Sequence, residues 1–174
     1  MSEKRNIPVG IAAGIVGGLL ASWVMNEFMA GPGAKLSEAV ESEADKARLQ
    51  AGSDGEDATM KAADALTAVV TGGRHLTHEE RAAEGPVVHY VFGALMGGVY
   101  GGLAEVSSAA TSGFGTTFGS MLFAGGDLFA VPALKLSRPA GEYPVSSYAT
   151  PMAAHLVYGA TTELTRRLVR RLLA

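Results

Sequence analysis

Long stretches without a charge alternate along this chain with short charged breaks. Ile7 to Asn26 contains no charged side chain, about the 20 residues that a helix needs to cross a hydrocarbon core. Val87 to Ala104 is interrupted only by His89, and Gly113 to Ala133 only by Asp127. A fourth run starts near Pro144 and reaches about Leu164, with Pro151, His155, Gly159 and Glu163 inside it. Small residues recur within the runs. Gly10, Gly14, Gly18, Ser22 and Asn26 fall every fourth residue, as do His89, Gly93, Gly97, Gly101 and Glu105. Such a stripe lies on one helix face and lets a second helix approach closely.

The pattern predicts an all-α fold: a four-helix transmembrane bundle with an extramembrane piece. Residues 1–30 hold a leader and the first spanning helix, 31–85 an acidic helical insert, and 86–106 the second span. The third span covers 113–133, and 144–171 forms the fourth with a basic C-terminal tail. The first run follows Lys4 and Arg5, as a signal peptide would. Its length, and Asn26 and Glu27 at its end, favour a retained spanning helix. Within the insert, Ala34 to Gln50 reads as one charged helix closed by Gly52-Ser53-Asp54-Gly55. Asp57 caps a second helix from Ala58 to Thr71, which Gly72-Gly73 ends. Leu66, Val69 and Val70 give it an apolar side for the bundle or the membrane surface. Thr77-His78-Glu79-Glu80 fits a capping box, and Pro86 falls in the first turn of the next helix.

One motif occurs twice. Glu27, Ala30, Pro32, Lys35, Leu36 and Ser37 return, in the same spacing, as Asp127, Ala130, Pro132, Lys135, Leu136 and Ser137. Downstream of each lies a histidine followed by a glycine four residues on: His89 with Gly93, His155 with Gly159. The chain therefore reads as two parallel two-helix repeats related by an axis along the membrane normal, with the insert added to the first.

Composition adjusts this picture in three ways. Twenty-three glycines in 174 residues are costly in water-exposed helices but common where membrane helices pack closely. The net charge of -3, without a basic patch carrying interleaved aromatics, gives no reason to expect nucleic acid. The absence of cysteine removes disulfides, thiolate metal sites and cysteine nucleophiles. Four spans put both termini on one side. Lys4, Arg5 and the arginines at 166, 167, 170 and 171 mark that side as cytoplasmic, although basic residues such as Lys35, Lys46, Arg74, Arg81, Lys135 and Arg138 lie opposite.

The candidate chemistry is the set of ionisable groups inside the runs. Glu27, Asp127, His89 and His155, with Asn26, are expected to meet in the outer half of the bundle, while Glu105 and Glu163 fall near the inner ends. A charge in hydrocarbon costs about 2.5–3.5 kcal/mol or more, so these groups should face inward and pair. They read as interhelical hydrogen-bonding glue, as a proton or ion pathway, as bis-histidine haem ligands at His89 and His155, or as a non-haem metal site. The glycines at 10, 14, 18, 93, 97, 101 and 159 read as helix-packing positions. His75-x-x-His78 reads as a solvated turn, and no Ser-His-Asp or HExxH arrangement occurs. No catalytic residue, resident metal or cofactor is expected.

At Ser22 to Asn26, His89 to Gly97 and His155 to Glu163 the chain resembles the YagU-like family of small bacterial inner-membrane proteins, a domain of unknown function. The resemblance implies bacterial origin, an inner-membrane location and several spans, and it brings no chemistry. The expected function is that of a non-enzymatic structural element or accessory subunit, in contact with the bilayer and with other membrane subunits or itself. The alternative is a proton- or ion-handling protein.

Overall fold

The computed structural model describes residues 5–173; Met1 to Lys4 of the basic leader, and Ala174, lie outside the described residues. The described chain is all-helical and contains no strand. Helix α1 (Ile7–Phe28) begins at Asn6, whose side chain accepts a hydrogen bond from the Val9 N–H, and Pro8 sits in its first turn. The first span, expected to end by residue 30 ahead of the boundary that Pro32 signals, does not stop there. A π-helical turn over Met29–Gly33 carries the chain into α2 (Ala34–Val40) without a break. Proline lacks an N–H and crowds the carbonyl four residues back; a widened turn accommodates both faults.

The charged helix expected over 34–50 is two helices. Glu41 is extended (φ -91°, ψ 125°), and Ser42 opens α3 (Glu43–Ala51) in a capping box with Asp45. A serine that can bond the backbone two or three residues ahead favours such a restart over helix continuation. Helix α4 (Ala58–Thr71) is capped by Asp57 and closed by left-handed Gly72 (φ 74°), as its sequence predicts. The capping box of Thr77 and Glu80 opens α5 (His78–Val106). This start lies well before 86, so Pro86 is inside the helix and not in its first turn.

A 3-10 segment, Ser108–Gly115, turns the chain through three left-handed residues, Gly113, Phe114 and Gly115. The next rod joins α6 (Thr116–Leu122), a π-helical stretch Phe123–Ala130 and α7 (Val131–Ala133). It ends where Lys135 turns left-handed (φ 59°) and the Leu136 N–H reaches the Val131 carbonyl at 3.0 Å. Two short 3-10 turns, Ala140–Glu142 and Val145–Tyr148, lead into α8 (Ala149–Leu172).

Helix α1 packs on both α5 and α8, α6 packs on α8, and α4 lies along α5. The α1–α5 seam is backbone against backbone. A Cβ placed on Gly14 would stand 2.1 Å from the Gly97 carbonyl oxygen, and one on Gly18 2.2 Å from that of Gly93. No side chain fits there. Gly10 meets Gly101 at the same seam, while Gly17 faces the Thr162 carbonyl of α8. The stripes read from the sequence thus meet each other within one chain.

Two continuous helical stretches, Ile7–Val40 and His78–Val106, are long and apolar enough to cross a membrane. Only 39% and 28% of their most apolar windows are buried against the rest of the protein. Ile15, Leu19 and Trp23 of α1 and Val91, Leu95 and Val99 of α5 point outward, whereas Ser22, Thr162 and Glu163 are fully enclosed.

Candidate functional site

The most built polar assembly lies where α1 begins and α5 and α8 approach their ends. On α8 the spacing Glu163, Arg166, Arg167, Arg170 places an acid and three guanidiniums along one helical stripe. Glu163 is fully buried. Its Oε2 accepts from Tyr100 Oη of α5 and from Arg166 Nε, both at 2.8 Å. Its Oε1 accepts from Arg166 Nη2 at 3.1 Å and Arg167 Nε at 2.5 Å.

Glu105, on the glycine stripe of α5, accepts from Arg170 Nε at 2.9 Å and from the Asn6 backbone N–H at 2.8 Å. Arg166 Nη1 lies 4.0 Å from Glu105, so this guanidinium links the two carboxylates. The turn closes the assembly: Phe114 stacks under Arg167 at 4.7 Å, and Phe118 of α6 meets the Tyr100 ring at 4.8 Å. The arginines read as a basic tail are therefore helical, and Arg166 and Arg170 are only 8% and 7% exposed. Glu105 and Glu163, which the duplication does not relate, are joined through Arg166. Removing one member of a buried ion pair strands the other, at about 3–5 kcal/mol.

The outer quartet assembles unevenly. His155 Nδ1 donates to the Pro151 carbonyl at 2.9 Å and lies 3.8 Å from Asp127 Oδ2. A carbonyl only accepts, so the Nδ1 proton is fixed and Asp127 is a second, longer neighbour. Phe123 flanks the imidazole at 5.7 Å. His89 is half-buried, and among the described residues neither its enclosed Nε2 nor Ser22 Oγ has a hydrogen-bond partner. Glu27 is exposed, and Asn26 makes one long contact, 3.5 Å from Nδ2 to Tyr90 Oη.

The two pairs also differ in register. The Gly93 carbonyl is met by Gly18, nine residues before Glu27. The corresponding Gly159 carbonyl is met by Gly115, twelve residues before Asp127. Gly119 meets the His155 carbonyl, so Asp127 lies eight residues past the level of its histidine, with the π-helical stretch Phe123–Ala130 between them.

A third cluster stitches the insert to α5. Glu56 accepts from Arg81 Nη1 at 3.0 and 2.9 Å and faces His78 Nδ1 at 3.1 Å. Asp64 faces His75 Nδ1 at 2.9 Å and accepts from the Leu76 N–H at 2.6 Å. These bonds hold both carboxyls below their usual range, chiefly through His78 and then Arg81 for Glu56, and through His75 and then Leu76 for Asp64. His75 and His78 face separate acids and not each other.

Among the described residues no group of three or more acids and histidines could hold a metal ion. Sequence reasoning missed Tyr100, Tyr158, Arg166 and Arg170 as interior residues. Tyr158 Oη donates to the Gly93 carbonyl at 2.6 Å, across the bundle from α8 to α5. The available signal was the spacing of Glu163 to Arg166 and Arg167, which is that of neighbours on one helix face.

Fold and site together define a class: an all-helical protein packed on glycine, with Glu163, Arg166 and Arg170 buried among its helices and much of its apolar surface outside. Comparison with known proteins finds no match, neither a family model, nor a curated protein, nor a solved structure.

Proposed function

We propose that the chain is a multi-pass membrane protein of the bacterial inner membrane, without catalytic activity, that serves as a structural or accessory subunit of a larger assembly. Its four spans are α1, α5, the rod from α6 to α7, and α8, arranged as two parallel helix pairs with both termini in the cytoplasm. The insert between α1 and α5 faces the opposite side. Kinship with the YagU-like proteins is part of this proposal.

One observation carries it. The long apolar helices present their large side chains outward, with Trp23 51% and Leu95 59% exposed, while Glu163 is wholly enclosed. In water that distribution costs about 25 cal/mol for each Å² of apolar surface left wet; in lipid it costs nothing. Close glycine packing and an ion network in which both acids, Glu105 and Glu163, are paired favour a packing role over catalysis. The test is fractionation: the protein should stay in membranes washed with alkaline carbonate, and reporter fusions should place both termini in the cytoplasm. Recovery in the soluble fraction would overturn the reading.

A second reading, proton or ion handling, draws on the enclosed His89 Nε2 and the His155–Asp127 pair. It predicts a pH-driven flux in proteoliposomes that Asp127→Asn abolishes with the fold intact. Parent protein without flux removes it.

A further inference from the structure

We infer that the cleft between the start of α1 and the ends of α5 and α8 binds the anionic phosphodiester headgroup of a lipid. The cleft measures about 590 Å³ and is lined by Arg5, Glu105, Ser107, Ser108, Thr111 and Arg170, with Arg166 at its back. That volume is typical of a small-molecule site.

Its charge is lopsided. Among the described residues three guanidiniums line it against one carboxylate, and Glu163 behind it is matched by Arg167 as well as Arg166. Two of the three guanidiniums are pre-positioned: Arg166 and Arg170 are more than nine-tenths buried and are oriented by Glu163 and Glu105. A planar guanidinium held in place matches phosphate oxygens as a fork, which a flexible lysine does not.

The remaining lining narrows the ligand further. The final carbonyls of α5 and the Glu105 carboxylate are acceptors, which repel a bare, doubly charged phosphate but receive hydroxyl hydrogens. Hydroxyls of Ser107 and Ser108 lie beside them, and Thr111 Oγ1 is tied to the Ser108 carbonyl at 3.0 Å. A singly charged phosphodiester carrying a polyol satisfies both halves of the cleft. The location agrees as well. The apolar run of α1 begins at Ile7 and that of α5 ends at Val106, so the cleft opens where those helices leave the apolar layer. This inference rests on the membrane-spanning reading above.

The test uses the full chain in detergent with three probes: short-chain phosphatidylglycerol, phosphatidylcholine of equal chain length, and inorganic phosphate. The parent should bind the glycerol lipid about tenfold more tightly than the choline lipid, a difference of roughly 1.4 kcal/mol. Arg5→Gln, at an exposed position, should lose that preference while melting as the parent does without lipid. Arg170→Lys, which keeps a cation beside Glu105, should lose it too. Equal affinity for the two lipids, or an unchanged preference in Arg5→Gln, overturns the site. Binding of inorganic phosphate as tightly as the glycerol lipid overturns the lipid as its ligand. Failure of the membrane reading looks different: protein released by carbonate, whatever it binds.

Discussion

The two helix pairs, α1 with α5 and α6 with α8, carry the same sequence motif and use it differently. In the first, Gly31-Pro32-Gly33 lies in a π turn and the helix runs on through Lys35, Leu36 and Ser37 to Val40. In the second, Val131-Pro132-Ala133 is the last helical turn, and Lys135 reverses the chain in a left-handed conformation. Ser37 reaches across to Thr150 Oγ1 at 2.8 Å, while Ser137 Oγ donates to the adjacent Arg138 carbonyl. The seam registers differ by three residues, and only the second acid lands beside its histidine. A repeated motif therefore fixes which residue types recur, while the fold around each copy decides what each one touches.

The largest effect should fall on the group that joins the pairs. Glu163→Ala strands Arg166, Arg167 and Tyr100 together and should cost about 3–5 kcal/mol, read as a fall in melting temperature in detergent. Loss of under 1 kcal/mol would mean that the two pairs hold together without the ion network. Next come the seams: Gly14→Ala and Gly119→Ala each drive a methyl into a facing carbonyl, 2.1 Å away in both cases, and should cost about 1–3 kcal/mol. Gly125→Ala meets nothing within 4 Å and should gain about 0.5–1 kcal/mol from helix propensity. A gain at Gly14 as well would show that the seam is looser than its geometry.

The acids separate the pairs more gently. Asp127→Asn should cost about 0.6 kcal/mol, the ordinary value of a polar contact between membrane helices, and Glu27→Gln should leave the melting temperature unchanged. Equal effects would restore the equivalence of the two acids.

The smallest effect concerns pH. Glu56 and Asp64 sit below their usual range, so the unfolded insert binds protons more readily than the folded one. Their stabilisation is complete above about pH 4.3 and is lost as pH falls through the lowered values. The protection of α4 amides, taken relative to the intrinsic exchange rate at each pH, should fall at pH 3 relative to pH 6, while the α1–α5 seam stays protected.

Local signals carried most of what could be read in advance. Asp57, Gly72 and the Thr77–Glu80 box act within a turn of themselves, and each does in the structure what its chemistry predicts. The glycine stripes are equally local in origin: they marked faces for close helix approach, and only the structure shows that the stripes of α1 and α5 face each other. Pro32 and Pro86 misled because a lone proline argues for a boundary, yet a π turn or the bonds of a long helix can carry the chain through it. The arginines misled for another reason. A basic cluster after an apolar run reads as an anchor, and only the arrival of Glu105 from α5 and Asn6 from α1 turns it inward. The partnership of Glu105 with Arg170 spans 65 positions, a distance at which no periodicity speaks.

The uninterrupted passage from α1 through Met29–Gly33 into α2 has a mechanical corollary. Helix α2 and the leading turns of α5 extend the packed pair as stiff struts, and non-helical links at Glu41–Ser42 and Gly72–Gly73 join them to α3 and α4. A load on α4 therefore passes through its packing on α5 to the glycine seam, and one residue inserted at Ala34 would turn α2 by about 100° about the α1 axis.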